Sequence, residues 1–237
     1  MMRFLDIITR WLFILCLPAL IFTASIAWAV NSQWFYEYGF EKYGVSQTTG
    51  LSSSELEKVA SGLISYFNSD DEFIDLTVIK DDKPFTLFNE REIVHLRDFK
   101  GLIRLDYRVL LATGIYVLAY AGTSLFFRRK EYRRLAWAVV GGSGITLGFI
   151  LFLGLWAIVD FDGFFLQLHL ISFANDFWLL DPAKDYLIML VPQGFWYDVT
   201  MFCVLLMVGL ASILIAVAGG YLLVRRRKAK LMNTPIA

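Results

Sequence analysis

Four long apolar stretches alternate with polar segments along the chain. They cover residues 11–30, 109–127, 135–159 and 199–224. An α-helix needs about 20 predominantly apolar residues to cross the hydrocarbon core of a bilayer. The pattern therefore predicts four transmembrane helices.

The polar portion between the first two stretches, residues 31–108, is predicted to contain an amphipathic helix. Ser52 and Glu55 have the spacing of a capping box, and an apolar stripe with helical spacing follows them. The stripe consists of Leu56, Val59, Ala60, Leu63, Ile64 and Phe67. Such a helix needs a partner surface for its apolar face.

A short hairpin is predicted after this helix. Phe73–Ile79 has strand character, residues 81–84 (DDKP) are typical of a turn, and Phe85–Phe88 can return as the second strand. One helix and one hairpin bury little area. We therefore expect residues 31–108 to lean on the membrane surface or on the spans.

The second span is preceded by a polar helix that begins near Asn89. Asn89 and Glu92 have capping-box spacing. His95 shares a face of this helix with Arg91 at i−4 and Asp98 at i+3. The Asp98 carboxylate is a candidate to hold the His95 imidazole in one tautomer, but both side chains also suit a plain solvated helix face.

Residues 160–198, between the third and fourth stretches, are unusually aromatic for a loop. Aromatic side chains favour the headgroup level of a membrane, so we predict an interfacial segment. Its aromatic residues include Phe161, Phe164, Phe165, Phe173, Phe177, Trp178, Phe195 and Trp196. The predicted fold class is an all-α membrane protein with four transmembrane helices. A small α+β insertion lies between helices 1 and 2, and the interfacial segment lies between helices 3 and 4.

Composition and charge agree with this organisation and give it an orientation. The chain is 57% hydrophobic, which is too apolar for an ordinary soluble domain of 237 residues. Residues 1–10, 128–134 and 225–237 together hold twelve basic and two acidic residues, although the formal net charge of the chain is zero. Basic residues concentrate on the cytoplasmic side, so we predict that these three parts, both termini included, are cytoplasmic. Residues 31–108 and 160–198 are then extracytoplasmic.

Two features of the apolar stretches allow alternatives. The sequence Ala27-Trp28-Ala29 is similar to a signal-peptide cleavage site, but the length of the stretch and its interfacial tryptophans favour a retained span. In the third stretch, Gly141, Gly142, Gly144 and Gly148 permit either close helix packing or bending.

The sequence offers little for metal, cofactor or nucleic-acid chemistry. Cys16 and Cys203 both lie inside apolar stretches, so we interpret them as packing residues. The chain has two histidines and no spacing typical of a zinc site, a phosphate-binding loop or a nucleic-acid motif. We expect no metal, no cofactor and no nucleic-acid partner.

The two histidines are the main candidates for catalysis. His95 precedes the second span and His169 follows the third, so both lie on the outer side and face each other if these spans are neighbours. Apolar neighbours such as Phe165 and Phe173 favour a neutral imidazole at His169, and Asn175 is a candidate donor to an oxyanion. The alternative is an amphipathic ring at the lipid boundary.

No side chain next to the histidines is evidently an activated nucleophile. Ser172 lies at i+3 from His169, but nothing in the sequence marks it as activated. Two histidines without a protein nucleophile suit a reaction in which the substrate supplies both nucleophile and electrophile. Outer-leaflet molecules with an ester and an amine include lipoproteins and aminophospholipids.

Motifs in the two outer segments resemble those of Lit, the bacterial lipoprotein intramolecular transacylase family. They are the run from Asn89 to Lys100 that contains HLRDFK, the later Phe165…His169…Phe173-Ala174-Asn175-Asp176…Trp178, and Asp181-Pro182…Asp185 to Pro192 with Phe195. The resemblance in topology covers nearly the whole chain.

This resemblance implies a four-span enzyme of the bacterial plasma membrane with an extracytoplasmic active site. The implied reaction moves the sn-2 acyl chain of a diacylglyceryl-cysteine lipoprotein to the cysteine α-amine and leaves a lyso-form lipoprotein. The implied catalytic pair is His95 and His169, and we favour His169 as the base. Supporting or substrate-binding residues would be Asp98, Arg91, Asn175, Asp176 and Trp178, and the partners are the diacylated lipoprotein and membrane lipid.

Three other functions compete with this one. The acidic outer portion is also compatible with a non-enzymatic binding or assembly protein. A bis-imidazole haem pair is a second alternative, but both histidines lie at span ends and not inside a bundle. Transport is the least favoured, because the predicted spans carry no interior ionisable residue.

Overall fold

The computed structural model describes residues 2–126 and 132–232. Within these residues the chain forms nine helices and a two-stranded antiparallel sheet. The elements are α1 (Met2–Val30), α2 (Gln33–Lys42), α3 (Val45–Thr49), α4 (Ser53–Asn68), β1 (Thr77–Lys80), β2 (Lys83–Thr86), α5 (Glu90–Phe126), α6 (Tyr132–Val159), α7 (Phe161–Ser172), α8 (Tyr186–Leu190) and α9 (Gln193–Met232).

Four of these helices, α1, α5, α6 and α9, are long and apolar enough to cross a membrane. They overlap the four predicted spans and confirm a multi-pass membrane protein. Each helix is longer than its span because adjoining polar residues continue it. The 37 residues of α5 extend about 55 Å at 1.5 Å per residue, well beyond a core of about 30 Å. Arg108 is the last charged residue of α5, and residues 109–126 form its uncharged part.

Parts of the three predicted cytoplasmic segments lie outside the described residues. These are residue 1 of the predicted N-terminus, residues 128–131 of the predicted turn and residues 233–237 of the predicted tail. Residue 127, the last of the second predicted span, also lies outside them.

The chain divides into two compact units. The first unit consists of Met1–Ser25, Tyr107–Leu155 and Val204–Ala237, and the second consists of Ile26–Asp106 and Trp156–Cys203. Every long helix contributes residues to both.

In the first unit, α6 packs closely against α1 at two of the four glycines for which the sequence permitted close packing. A Cβ at Gly142 would lie 3.0 Å from the carbonyl oxygen of Ile14, and one at Gly141 would contact the Ile14 side chain. Gly144 and Gly148 have no such neighbour within 4 Å. The close-packing interpretation is therefore correct for the first pair, because small residues let helix backbones approach.

Large apolar side chains remain exposed on the first unit. On α5, Leu111 and Leu118 are 65% and 73% exposed, and on α6 Phe152 is 68% exposed. Such surfaces are unfavourable in water, whereas hydrocarbon solvates them. The exposed faces are thus those expected of helices in contact with lipid.

The second unit contains the predicted amphipathic helix, which is α4. Ser52 caps it by accepting a hydrogen bond from the Glu55 backbone N–H at 3.3 Å. The predicted stripe is buried, except that Ile64 is half-buried. The Glu55 side chain does not complete the predicted capping box, because its carboxylate accepts from the Ile79 backbone N–H at 2.9 Å. Glu55 thereby ties α4 to the hairpin.

The hairpin is present, but its turn is shorter than predicted. Only Asp81 and Asp82 form the turn, both with positive φ (51° and 60°), as in the type I′ turns that suit twisted hairpins. Lys83 and Pro84 belong to β2, so their assignment to the turn is wrong. Proline is tolerated there because each strand of a two-stranded sheet is an edge strand.

The cysteines behave as packing residues. Cys16 is half-buried in α1, Cys203 is buried in α9, and neither forms a disulfide with the described residues. This agrees with the interpretation from the sequence.

Candidate active site

The second unit brings the two histidines of the chain together. His95 lies in the second turn of α5 and His169 in the last turn of α7. Their ring centroids are 6.0 Å apart and the ring planes are inclined by 27°. Both side chains are half-buried. The predicted juxtaposition of the two histidines is therefore present.

The start of α5, one turn before His95, is fixed by a complete capping box. The Asn89 backbone N–H donates to Glu92 Oε2 at 2.7 Å, and the Glu92 backbone N–H donates to Asn89 Oδ1 at 3.1 Å. Glu92 Oε1 accepts from the Leu187 backbone N–H of α8 at 2.6 Å. The predicted box is confirmed, and its carboxylate also anchors α8 to α5.

A second carboxylate strengthens this anchor. Asp185 accepts from Asn89 Nδ2 at 2.8 Å and from the Asp181 backbone N–H at 2.6 Å. Both acids are buried, with Glu92 only 1% exposed. Desolvation raises the pKa of Glu92, and the backbone N–H groups that it accepts from oppose this shift.

His169 is held in one tautomer by its own helix. Asp160 caps α7 by accepting from the Gly163 backbone N–H at 2.9 Å. At the other end of α7, His169 Nδ1 lies 2.8 Å from the carbonyl oxygen of Phe165. A carbonyl oxygen can only accept, so Nδ1 carries the proton and Nε2 of the neutral ring keeps its lone pair.

Aromatic rings enclose the two imidazoles. The Phe165 and Trp178 rings lie 4.4 and 5.0 Å from His169, measured between centroids. Phe173 contacts both histidines, at 4.8 Å from His95 and 5.5 Å from His169. This aromatic shell gives the pair a largely apolar environment.

Burial in this environment favours the neutral form of both imidazoles. The pKa of His95 is lowered to about 4, chiefly by desolvation and also by the neighbouring His169, while Asp98 opposes the shift. Desolvation also lowers the pKa of His169, against the opposing effect of its hydrogen bond to Phe165. Both rings are therefore neutral near pH 7.

Asp98 does not hold the His95 imidazole, which corrects the prediction from their i, i+3 spacing. Its Oδ2 accepts from Asn175 Nδ2 at 2.7 Å, and its Oδ1 accepts from Arg97 Nη2 at 3.1 Å. A guanidinium and an amide are strong donors, and they occupy both carboxylate oxygens. His95 Nδ1 is buried without a hydrogen-bond partner among the described residues.

The Asp98–Asn175 bond ties the chain after α7 back onto α5. Asn175 Oδ1 also accepts from the Phe177 backbone N–H at 3.1 Å, which closes a turn. Arg91 makes a third tie, because its Nη1 donates to the Leu179 carbonyl at 2.9 Å. These bonds flank Trp178 and fix the segment that carries it.

Among the predicted site residues, the side chain of Asp176 forms no hydrogen bond or ion pair with the histidine pair or with its aromatic shell in the described part of the chain. Its side chain is exposed, and its backbone carbonyl accepts from the Leu179 N–H at 3.2 Å. Its evident contribution is to this turn.

Sequence reasoning missed the buried anchor formed by Glu92 and Asp185. The capping-box spacing revealed the local half of this anchor. The bond from Leu187 joins residues 95 positions apart, so it cannot be predicted from local spacing. Across residues 2–126 and 132–232, no group of three or more His, Cys, Asp and Glu side chains could hold a metal ion.

Comparison with known proteins identifies the family. The model of the lipoprotein intramolecular transacylase Lit family matches residues 11–196. The chain belongs to the Lit family. Its resemblance to that family is thereby confirmed, and this Lit-family protein is a membrane-integral acyltransferase by family and fold.

Solved structures share the Lit fold. The membrane-integral lipoprotein intramolecular transacylase Lit from Bacillus cereus is 21% identical and superimposes with a TM-score of 0.80, covering 95% of this chain and 99% of that one. Structures of the same protein with one histidine replaced by arginine or by alanine give TM-scores of 0.74 at 18% identity.

A curated relative matches over a shorter part of the chain. An uncharacterised protein of Aquifex aeolicus is 27% identical over 119 residues, which is 50% of this chain and 50% of that protein. The matched region thus spans about half the length of that relative.

Proposed function

We propose that this Lit-family protein moves the sn-2 acyl chain of a diacylglyceryl-modified N-terminal cysteine to the α-amine of the same cysteine. The amine nitrogen attacks the ester carbonyl, a C–N bond forms, and the ester C–O bond breaks. The proton lost by the amine is returned to the glyceryl oxygen. The product is an N-acyl, S-monoacylglyceryl (lyso-form) lipoprotein, so atoms balance without water or a cofactor.

The observation that carries this proposal is the histidine pair with one tautomer fixed. His169 Nδ1 is committed to the Phe165 carbonyl at 2.8 Å, which leaves Nε2 as a basic lone pair. The lowered pKa keeps that lone pair free of a proton near pH 7. His169 is therefore suited to remove the proton of the attacking amine.

His95 has the complementary role. Its ring centroid lies 6.0 Å from that of His169, close enough for both rings to flank one reacting ester. Its buried Nδ1 has no protein partner among the described residues and is available to a substrate atom. As a neutral imidazole it donates one N–H to the oxyanion or to the leaving glyceryl oxygen.

The aromatic shell protects the reaction from water. A carbonyl under attack can be hydrolysed if water reaches it, and apolar walls reduce that side reaction. Phe165, Phe173 and Trp178 supply those walls. Asp98, Asn175 and Arg91 position the shell through their ties to the segment after α7, and Asp176 contributes to its turn.

The proposed site faces the extracytoplasmic side of a bacterial plasma membrane. Residues 1–10, 128–134 and 225–237 carry most of the basic excess and are assigned to the cytoplasm. Residues 31–108 and 160–198, which hold both histidines, are then extracytoplasmic. The substrates implied there are diacylated lipoproteins anchored in the outer leaflet, with membrane lipid around them.

Lipopeptide mass spectrometry tests the proposed reaction. Wild type, His95→Ala and His169→Ala are expressed in a bacterial strain that lacks other N-acylation, and N-terminal lipopeptides are analysed. We expect lyso-form lipopeptides with wild type and at least a hundredfold less with either variant, since a positioned acid or base contributes about 10²–10⁴-fold. Normal product levels in both variants would exclude the pair.

Two variants on α7 serve as controls. Gln167→Ala removes an exposed side chain two residues before His169 and should leave product formation unchanged. Ser172→Ala tests a serine nucleophile, and we expect it to retain activity. Immunoblots of membranes establish that each variant is inserted at the wild-type level.

A further inference from the structure

The first unit contains a cavity that shares no residue with the histidine site. Its volume is about 330 Å³, and it lies where α1 and α6 begin. Its lining comprises Asp6, Ile7 and Arg10 of α1 and Arg134 of α6. Two guanidinium groups therefore border one cavity at the ends of two spanning helices.

One of these groups lacks a hydrogen-bond acceptor. Arg10 Nε is buried and has no partner among the described residues. A buried donor without an acceptor is unfavourable, so an acceptor supplied by a ligand would be bound there with a gain in free energy. Arg134 and Asp6 also take part in other polar interactions. Arg10 is thus the lining residue whose buried N–H would gain a hydrogen-bond acceptor from a ligand.

The charges of the lining specify the chemistry of that ligand. Among the described residues of the lining, two guanidiniums and one carboxylate leave one net positive charge, which matches a singly charged phosphodiester. Guanidinium forks bind phosphate oxygens through paired N–H groups. The Asp6 carboxylate suits the ammonium or hydroxyl that a lipid headgroup carries beyond its phosphate.

The surroundings favour a lipid over a free anion. Three large apolar side chains of the same stretch of α1 are exposed, namely Phe4 at 67%, Ile7 at 55% and Trp11 at 60%. Acyl chains attached to a headgroup in the cavity would run toward the span, past Trp11. Tryptophan at this depth is also typical of the headgroup boundary.

We propose that the cavity lined by Asp6, Arg10 and Arg134 binds the phosphodiester headgroup of a membrane glycerophospholipid. The bound lipid stabilises the pairing of α1, in its second and third turns, with the first turn of α6. This site is separate from catalysis, and the proposal stands whether or not the acyl-transfer mechanism is correct.

Native mass spectrometry and thermal unfolding of the full-length protein in detergent test the proposal. The probes are phosphatidylglycerol, phosphatidylethanolamine, diacylglycerol and inorganic phosphate. We expect both phospholipids to bind and to raise the unfolding temperature, whereas diacylglycerol and inorganic phosphate should not. Equal stabilisation by diacylglycerol or by inorganic phosphate would overturn the assignment to a lipid phosphodiester.

Variants of the lining locate the site. Arg10→Gln and Arg134→Gln should each weaken phospholipid binding at least fivefold, and Arg10→Lys, which keeps the charge but loses the fork, should weaken it less. Arg226→Gln removes an exposed arginine of α9 and serves as the matched control, with binding expected as in wild type. Wild-type binding in Arg10→Gln or in Arg134→Gln would contradict the proposal.

Discussion

The protonation states of His95 and His169 follow from their surroundings, since ordinary imidazoles titrate near pH 6.5. Desolvation lowers the pKa of both rings, so they stay neutral as the pH falls through 6.5. The unfolded chain binds protons in that range and the folded protein does not. Folding stability should therefore decrease as the pH falls from about 7.5 toward the lowered pKa values.

Histidine-selective NMR measures this titration directly, because the chain contains only two histidines. We expect the ¹³Cε1 shift of His95 to change little between pH 8 and pH 5.5, the titration midpoint of His169 to lie below 6.5, and the ¹⁵N shifts of His169 to report a proton on Nδ1. His95→Ala assigns the signals. A titration midpoint near 6.5 for either ring would contradict the apolar environment described for the pair.

Spacing along the sequence predicts side-chain partners only in part. The distribution of basic residues predicted that His95 and His169 lie on the same side of the membrane. The expected packing of the second span beside the third then predicted that the two side chains are close together. The partner of Asp98 could not be predicted in the same way. Its i, i+3 spacing from His95 suggested one bond, whereas the bonds that form join it to the adjacent Arg97 and to Asn175, 77 positions away.

At the scale of elements, the start of α5 connects stability with the site. The capping box orients the helix turn that carries His95, and its Glu92 carboxylate also accepts from α8. Glu92→Ala would leave the Asn89 cap in place but remove the acceptor of two backbone N–H groups, those of Asn89 and of the buried Leu187. Each unsatisfied buried N–H costs about 1–3 kcal/mol.

Thermal unfolding in detergent measures the contribution of Glu92. We expect Glu92→Ala to lower the unfolding temperature by several degrees and to reduce acyl transfer. Glu90→Ala, which removes an exposed acid from the same helix turn, is the control and should unfold within about a degree of wild type. If the two variants unfold alike, Glu92 is not the anchor.

Long elements were more predictable than short ones. The spans and α4 have periodic apolar patterns over four or more turns, which local reasoning detects. In α2, Phe35, Tyr36, Gly39 and Phe40 are buried at helical spacing, but this pattern covers fewer than two turns and was missed. The five-residue helices α3 and α8 have no readable period, and their positions depend on tertiary contacts such as the bond from Leu187 to Glu92.

At the scale of the whole molecule, the distribution of charge predicts which side each segment faces. Cysteine labelling in intact cells with a membrane-impermeant maleimide tests this orientation. Lys83→Cys in the hairpin should be labelled in intact cells, whereas Arg227→Cys in α9 should be labelled only after permeabilisation. Wild type, whose Cys16 and Cys203 lie within spans, gives the background. The reverse pattern would show that the histidines face the cytoplasm.

In the proposed reaction, one substrate molecule supplies both the ester and the amine while two neutral imidazoles move its protons. A crossover measurement with the purified protein in lipid vesicles tests this most directly. Two synthetic diacylated lipopeptides of different peptide mass are mixed, and only one carries a deuterated sn-2 chain. We predict that the label moves to the amine of its own peptide with wild type and that His169→Ala gives no transfer. Label appearing on the other peptide, or transfer that persists in His169→Ala, would contradict the account.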